Sequence, residues 1–119
     1  MLNPTLSQAE ADVFIARHSY REQLIKFVAM AQSVIENHYQ TMNFHTNPPT
    51  LKIESGIRYD KITRNGPAER SAFCFVDKGS GDVLKAASWM SPAKGARSNI
   101  WDDDLGRSGI TAYGGRYLK

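Results

Sequence analysis

Between residues 8 and 42 the apolar positions return at helical spacing. Val13, Tyr20, Phe27 and Val34 recur every seven residues, and Leu24, Ala31 and His38 fall on the adjoining ridge. Ile25, Val28 and Ile35 make this stripe broader than a coiled-coil seam. Ser7-Gln8-Ala9-Glu10 has the capping-box form, in which the first side chain accepts from a free helical N–H, so the helix is predicted to start at Ser7. At ~1.5 Å per residue it would span about 50 Å, which is long for a small domain. Ser19-Tyr20-Arg21-Glu22 repeats the box. Either the chain breaks near His18 into two helices, or one helix overshoots its sheet and packs against another copy, giving a homo-oligomer, a dimer or tetramer. The stripe favours the second, although a helix laid on its own sheet explains it equally well.

Asn47-Pro48-Pro49 ends the helical region, because proline offers no N–H and pushes its predecessor towards extended geometry. The pattern then changes to a period near two. Leu51 and Ile53, then Ile57 and Tyr59, alternate with Lys52, Glu54 and Arg58, and Gly56 marks a bend between two strand segments. Asn65-Gly66-Pro67 reads as a turn, Ser71 to Asp77 as a strand, Asp77 to Asp82 as a hairpin loop, and Val83 to Trp89 as the returning strand. The expected fold is α+β: a long N-terminal helix, or two helices, packed on a three- to four-stranded antiparallel sheet, with a Gly-rich C-terminal tail. A single domain over residues 1–119 is expected, with a helical region at 7–42, a sheet at 50–89 and a basic, aromatic segment and tail at 90–119.

Composition narrows the class. Hydrophobic residues make up 41% and charged residues 23%, the balance of a chain that buries a core. No apolar run approaches the ~18 residues of a membrane span, and the first residues lack the pattern of a signal peptide, so no membrane partner and a cytoplasmic location are expected. Cys74, alone between Phe73 and Phe75, suits a buried strand position and leaves no intramolecular disulfide. His18, His38 and His45 share no metal-ligand spacing, and no cofactor motif is present.

Charge is unevenly placed. Residues 1–47 carry three Lys/Arg against four Asp/Glu (−1), residues 48–98 nine against five (+4), and residues 99–119 three against three. Within the basic middle lies W-M-S-P-A-K-G-A-R-S-N-I-W, which places Lys94 and Arg97 between both tryptophans of the protein, Trp89 and Trp101. Ser91-Pro92 reads as the start of a short helix that would set Lys94 and Arg97 on one face and aim its N–H groups at a phosphate. Rings beside cations are the materials of a single-strand site, because stacking accepts any base while cations follow the backbone. The candidate contacts are Tyr59, Trp89, Trp101 and Tyr113 for stacking, with Arg58, Lys61, Lys85, Lys94 and Arg97 on phosphates; Arg107 and Arg116 of the tail join them. The same tryptophans serve equally well as core, and Gly95 costs roughly 1 kcal/mol inside a helix.

The run C-F-V-D-K-G-S-G-D-V-L-K-A-A-S-W-M-S-P-A-K-G-A-R-S-N-I, with G-I-R-Y-D-K-I upstream, resembles a pattern of small bacteriophage proteins, and among these the single-stranded-DNA-binding RNA polymerase cofactors of N4-like phages. The resemblance covers residues 56–101. It implies non-specific single-strand binding, oligomerisation, an RNA polymerase as partner, the cytoplasm of an infected host as location, and no catalytic activity. Met90-Ser91 departs from the Lys and small residue expected there, lowering the charge of the face by one.

Two alternatives accompany this reading. One is a protein-binding modulator that docks on a host or phage enzyme through the long helix and the acidic triplet Asp102-Asp103-Asp104. The other is a metal-dependent phosphodiester enzyme, with that triplet around an ion and Lys94 or Arg97 on substrate. Consecutive carboxylates rarely converge on one ion, so an acidic cap or surface loop is the simpler role for them.

Overall fold

The structure, a computed structural model, describes residues 7–118, apart from the side chains of Phe14 and Ile15; the amino-terminal segment read above for a signal peptide therefore lies largely outside the described residues. Helix α1 (Gln8–Thr41) is continuous over 34 residues. Ser7 caps it, its Oγ accepting the Glu10 N–H at 3.1 Å. The second capping box, at Ser19, lies inside this helix and interrupts nothing, because a box competes poorly with a backbone already hydrogen-bonded on both sides.

Five strands follow as an antiparallel meander in the order β1-β2-β3-β4-β5: β1 (Thr50–Ser55), β2 (Tyr59–Asn65), β3 (Arg70–Asp77), β4 (Asp82–Ala86) and β5 (Pro92–Asn99). The chain closes with a 3-10 turn (Arg107–Gly109) and a two-stranded ribbon, β6 (Ile110–Thr111) with β7 (Gly114–Gly115). The α+β class is as expected, with five strands in the main sheet where three or four were read from the pattern.

Cross-strand register assigns the two faces of the sheet. Ile53, Ile62 and Cys74 stand in one row and Ser55, Asp60, Val76, Val83 and Ser98 in another, both beneath the helix. Leu24, Phe27, Ala31 and Ile35 of α1 close over them, all fully buried, and Ile100, Ile110 and Ala112 complete this core. A bulge between Ile62 and Thr63 sends Phe73 into the core beside Cys74, leaving Phe75 on the opposite face. Polar tethers fix the helix over the sheet. Gln32 accepts the Leu51 N–H at 2.8 Å and donates to the Pro49 carbonyl at 2.9 Å, and Gln23 donates to the Ile100 carbonyl at 2.7 Å.

Two further expectations are corrected, and the tail takes a defined place. Ile57 is fully exposed at the β1–β2 turn, closed by Gly56 N–H donating to the Tyr59 carbonyl, and is not a strand residue. The strand after the hairpin ends at Ala86, and Trp89 lies in the following turn. The tail is folded: Ile110 and Ala112 are buried, and Gly115 lies so close to Lys85 that a Cβ would come within 2.7 Å of the lysine Cα.

Candidate nucleic-acid interface

The segment expected to begin a helix at Ser91-Pro92 is instead the edge strand β5. Two features decide against the helix. Gly95 adopts φ +93°, outside right-handed helix, and β4 presents an unpaired edge whose hydrogen bonds the next segment completes. The anion-binding helix end proposed for Lys94 and Arg97 is therefore absent, and the two cations have different surroundings. Lys94 is exposed, whereas the Arg97 guanidinium is tied to carbonyls: Nε donates to Arg116 at 2.7 Å, and Nη1 to Lys94 and Gly95 at 2.7 and 2.5 Å. Arg97 thus clips the tail to β5.

The face of the sheet turned away from α1 gathers the other candidates. Glu54, Lys61, Phe75, Leu84 and Ala96 are successive partners across all five strands, so their side chains form one row on this face. Trp89, carried over the row by the Ala87–Ser91 turn, places its ring 3.7 Å from the Lys61 ammonium and 4.8 Å from the Arg70 guanidinium. Glu54 holds both cations, Lys61 at 3.7 Å and Arg70 at 2.6 Å. Lys61 is consequently well covered, with 12% of its side chain exposed, and supports Trp89 more than it offers a free charge.

Tyr59 stands beside this cluster, edge-on to Phe75, with the Arg58 guanidinium 5.1 Å from its ring centre. Together Arg58 and Tyr59 form the ridge between two shallow cavities. One, about 250 Å³, runs along Glu54, Ile57, Lys61, Phe75 and Met90; the other, about 380 Å³, along Asp77, Asp82, Leu84, Lys94 and Ala96. Lys52, Arg58, Lys61, Arg70 and Lys94 supply five cations here against the three carboxylates of Glu54, Asp77 and Asp82. Arg70 was missed in the sequence because nothing local links it to Trp89; the β2–β3 hairpin brings it there.

The remaining candidates lie elsewhere. Lys85 pairs with Cys74, which puts it in a row of the helix-side face, and its ammonium sits 4.1 Å from the Tyr117 ring centre under the tail. Tyr113 meets the end of α1, its hydroxyl 2.9 Å from His38 Nε2 and its ring 5.4 Å from the Arg64 guanidinium. Trp101 belongs to a cavity between α1 and the β3–β4 turn, so the two indoles do not flank one site. Arg107 and Arg116 are exposed on the terminal 3-10 turn and tail, and neither lines the two shallow cavities.

Asp102 and Asp104 of the acidic triplet organise their own loop. Asp102 accepts the Asn99 N–H at 3.0 Å, and Asp104 accepts those of Gly106 and Ser108, each at 3.0 Å. These backbone donors, Ser108 before Gly106, hold the Asp104 carboxyl below its ordinary pKa. No group of three or more His, Cys, Asp or Glu among the described residues is placed to hold a metal ion. Nor is any described helix long and apolar enough to cross a membrane.

An α+β chain with a helix on one sheet face and a cation-aromatic surface on the other is what these observations define. The chain belongs to a family of unknown function, DUF7717, which matches residues 4–118. Comparisons with curated proteins and with solved structures returned no match.

Proposed function

We propose that this protein is a non-catalytic, sequence-tolerant binder of single-stranded nucleic acid, DNA in the first instance, that holds the strand across the helix-free face of its sheet. The observation that carries this reading is the ridge of Arg58 and Tyr59 between two open troughs, with Lys94 beside one and the Lys61–Trp89–Arg70 stack beside the other. Aromatic planes spaced along a cationic surface suit splayed bases and a phosphate backbone, each stacked base typically contributing about 1 to 3 kcal/mol. The resemblance over residues 56–101 points the same way and adds an RNA polymerase as partner in the cytoplasm of an infected host.

Anisotropy of a fluorescent oligo(dT), titrated at several salt concentrations, tests the reading. Binding should weaken with salt, by a slope of about 0.7 per phosphate neutralised, and Arg58→Ala with Lys94→Ala should flatten that slope without unfolding the protein. Unchanged affinity and slope in the double variant would remove the assignment.

A second reading, docking on a protein or on another copy through α1, is favoured by one observation. Ile25 is half exposed and, with Val28, Leu51 and Ile53, lines an apolar groove of about 420 Å³ along the helix. Co-purification that survives nuclease treatment, or a dimer in sedimentation lost on Ile25→Glu, supports it.

A further inference from the structure

On the opposite side of the β1–β2 turn from the open face, α1 and the β3–β4 turn enclose a cavity of about 780 Å³. Its floor includes Asp60, only 1% exposed. Tyr20 donates its hydroxyl to Asp60 Oδ2 at 2.7 Å, while Oδ1 is buried with no hydrogen-bond partner among the described residues. Burial and the carboxylate push the Tyr20 phenol above its ordinary pKa, so it stays a donor and cannot leave the pair as an anion. A buried carboxylate oxygen without a donor costs free energy, and a ligand bearing N–H groups relieves it.

The rim has different chemistry. Arg17 and Arg21, one helical turn apart, line the mouth with Lys78, whose ammonium reaches Ser55 Oγ at 3.0 Å. Trp101 forms a further wall, half exposed, with its indole lying against Gly81. A simple cation fits poorly, because the three positive side chains repel it. A simple anion fits poorly at the floor, where it would meet Asp60. What satisfies both is a flat ring carrying N–H donors, joined by a spacer to an anionic group.

We propose that this cavity binds a nucleoside phosphate whose base offers adjacent N–H donors, guanine above all, with the base on Trp101, its N–H edge at Asp60 and the phosphate at Arg17, Arg21 and Lys78. Guanine places a ring N–H and an amino group side by side, whereas uracil places a single N–H between two carbonyls that a carboxylate repels. The inference does not rest on the open-face reading, since it uses none of the same side chains. Two sources share this chemistry, a free nucleotide and one base of a bound strand.

Calorimetry on the full chain with GMP and UMP tests it. GMP should bind at least tenfold more tightly than UMP, the scale set by one hydrogen bond to a charged acceptor. Asp60→Asn should bring that ratio close to one, because its amide offers a donor to uracil carbonyls. If Asp60→Asn does not fold, Arg17→Ala with Arg21→Ala, both on exposed helix, carries the test: affinity for GMP should fall about tenfold, with that for guanosine unchanged.

A parallel arm compares oligo(dT) with the same strand carrying one guanine. Tighter binding of the guanine strand with weak GMP binding assigns the cavity to a strand base; GMP binding with no strand preference assigns it to free nucleotide. Equal affinity for GMP and UMP, or none for either together with no guanine preference in the strand, overturns the proposal, while plain oligo(dT) binding independently reports on the open face.

Discussion

The two faces of this sheet come from the same strands and differ by one step of the pleat. Odd and even neighbours such as Ile62 and Lys61, or Cys74 and Phe75, part to opposite sides. On the helix side Ile62, Cys74, Val76 and Val83 make the middle of the rows apolar, and Leu24, Phe27, Ala31 and Ile35 cover them. On the other side the row from Glu54 to Ala96 mixes charge with rings and carries a turn bearing Trp89, with no helix among the described residues over it. On the proposed reading, stability and recognition fall to different faces of one element, so each can be altered separately.

Core truncation should produce the largest effect. Phe27→Ala removes a ring fully buried between helix and sheet and should cost about 3 to 5 kcal/mol in urea unfolding. Trp89→Ala on the open face should cost about 1 kcal/mol or less while weakening oligonucleotide binding by about 1 to 3 kcal/mol. A Trp89 variant as unstable as the Phe27 variant would break the division of labour between the faces.

The cations sharpen the comparison next. Arg58→Ala with Lys94→Ala should lower the salt slope by about 1.4 if each meets one phosphate. Lys85→Ala, on the helix-side face, should leave the slope unchanged. An equal drop in both would mean that position on the sheet does not matter and that only net charge does.

Thiol reactivity reports on the sealed face. Burial alone pushes the Cys74 thiol far above its ordinary pKa, so it stays protonated. Reaction with a disulfide reagent near neutral pH should be negligible in the native protein and complete in denaturant; prompt native labelling would show that the helix does not close the core.

The smallest expected effect concerns the loop after β5. The Asp104 carboxyl is depressed by the Ser108 and Gly106 N–H groups, so its folded pKa lies below its unfolded value of about 3.9. Its contribution is therefore complete above the unfolded value and is lost as pH falls through the folded one. Asp104→Asn should be slightly less stable than the parent at pH 7, with the gap closing towards pH 2. A gap that widens with acid would reverse the sign.

Much of the candidate site was legible, though not its geometry. Arg58, Tyr59, Lys61, Trp89 and Lys94 were marked by rings beside cations in a basic stretch, and all five lie on or above the open face. Trp101 looked like the partner of Trp89, being twelve residues on, yet an intervening edge strand and turn carry it to another cavity. Arg97 looked free, but its donors meet carbonyls of β5 and of a tail brought back from 19 residues away. Arg70 and the unpartnered oxygen of Asp60 had no local signature, since each is defined by contacts between distant elements.

By itself the sequence determined what local physics can determine: the start of the helical region at the Ser7 cap and its core-facing stripe, its end at the prolines, and the Asp77–Asp82 hairpin from its glycines and short polar residues; that one helix and not two spans the region came from the structure. Only the tertiary structure decided that Pro92 to Asn99 is a strand, because an open edge at β4 and the positive φ of Gly95 outweigh a favourable cap. It also decided which cations share a face. That depends on register and on the bulge between Ile62 and Thr63, where a shift of one residue reverses the side on which every following side chain stands.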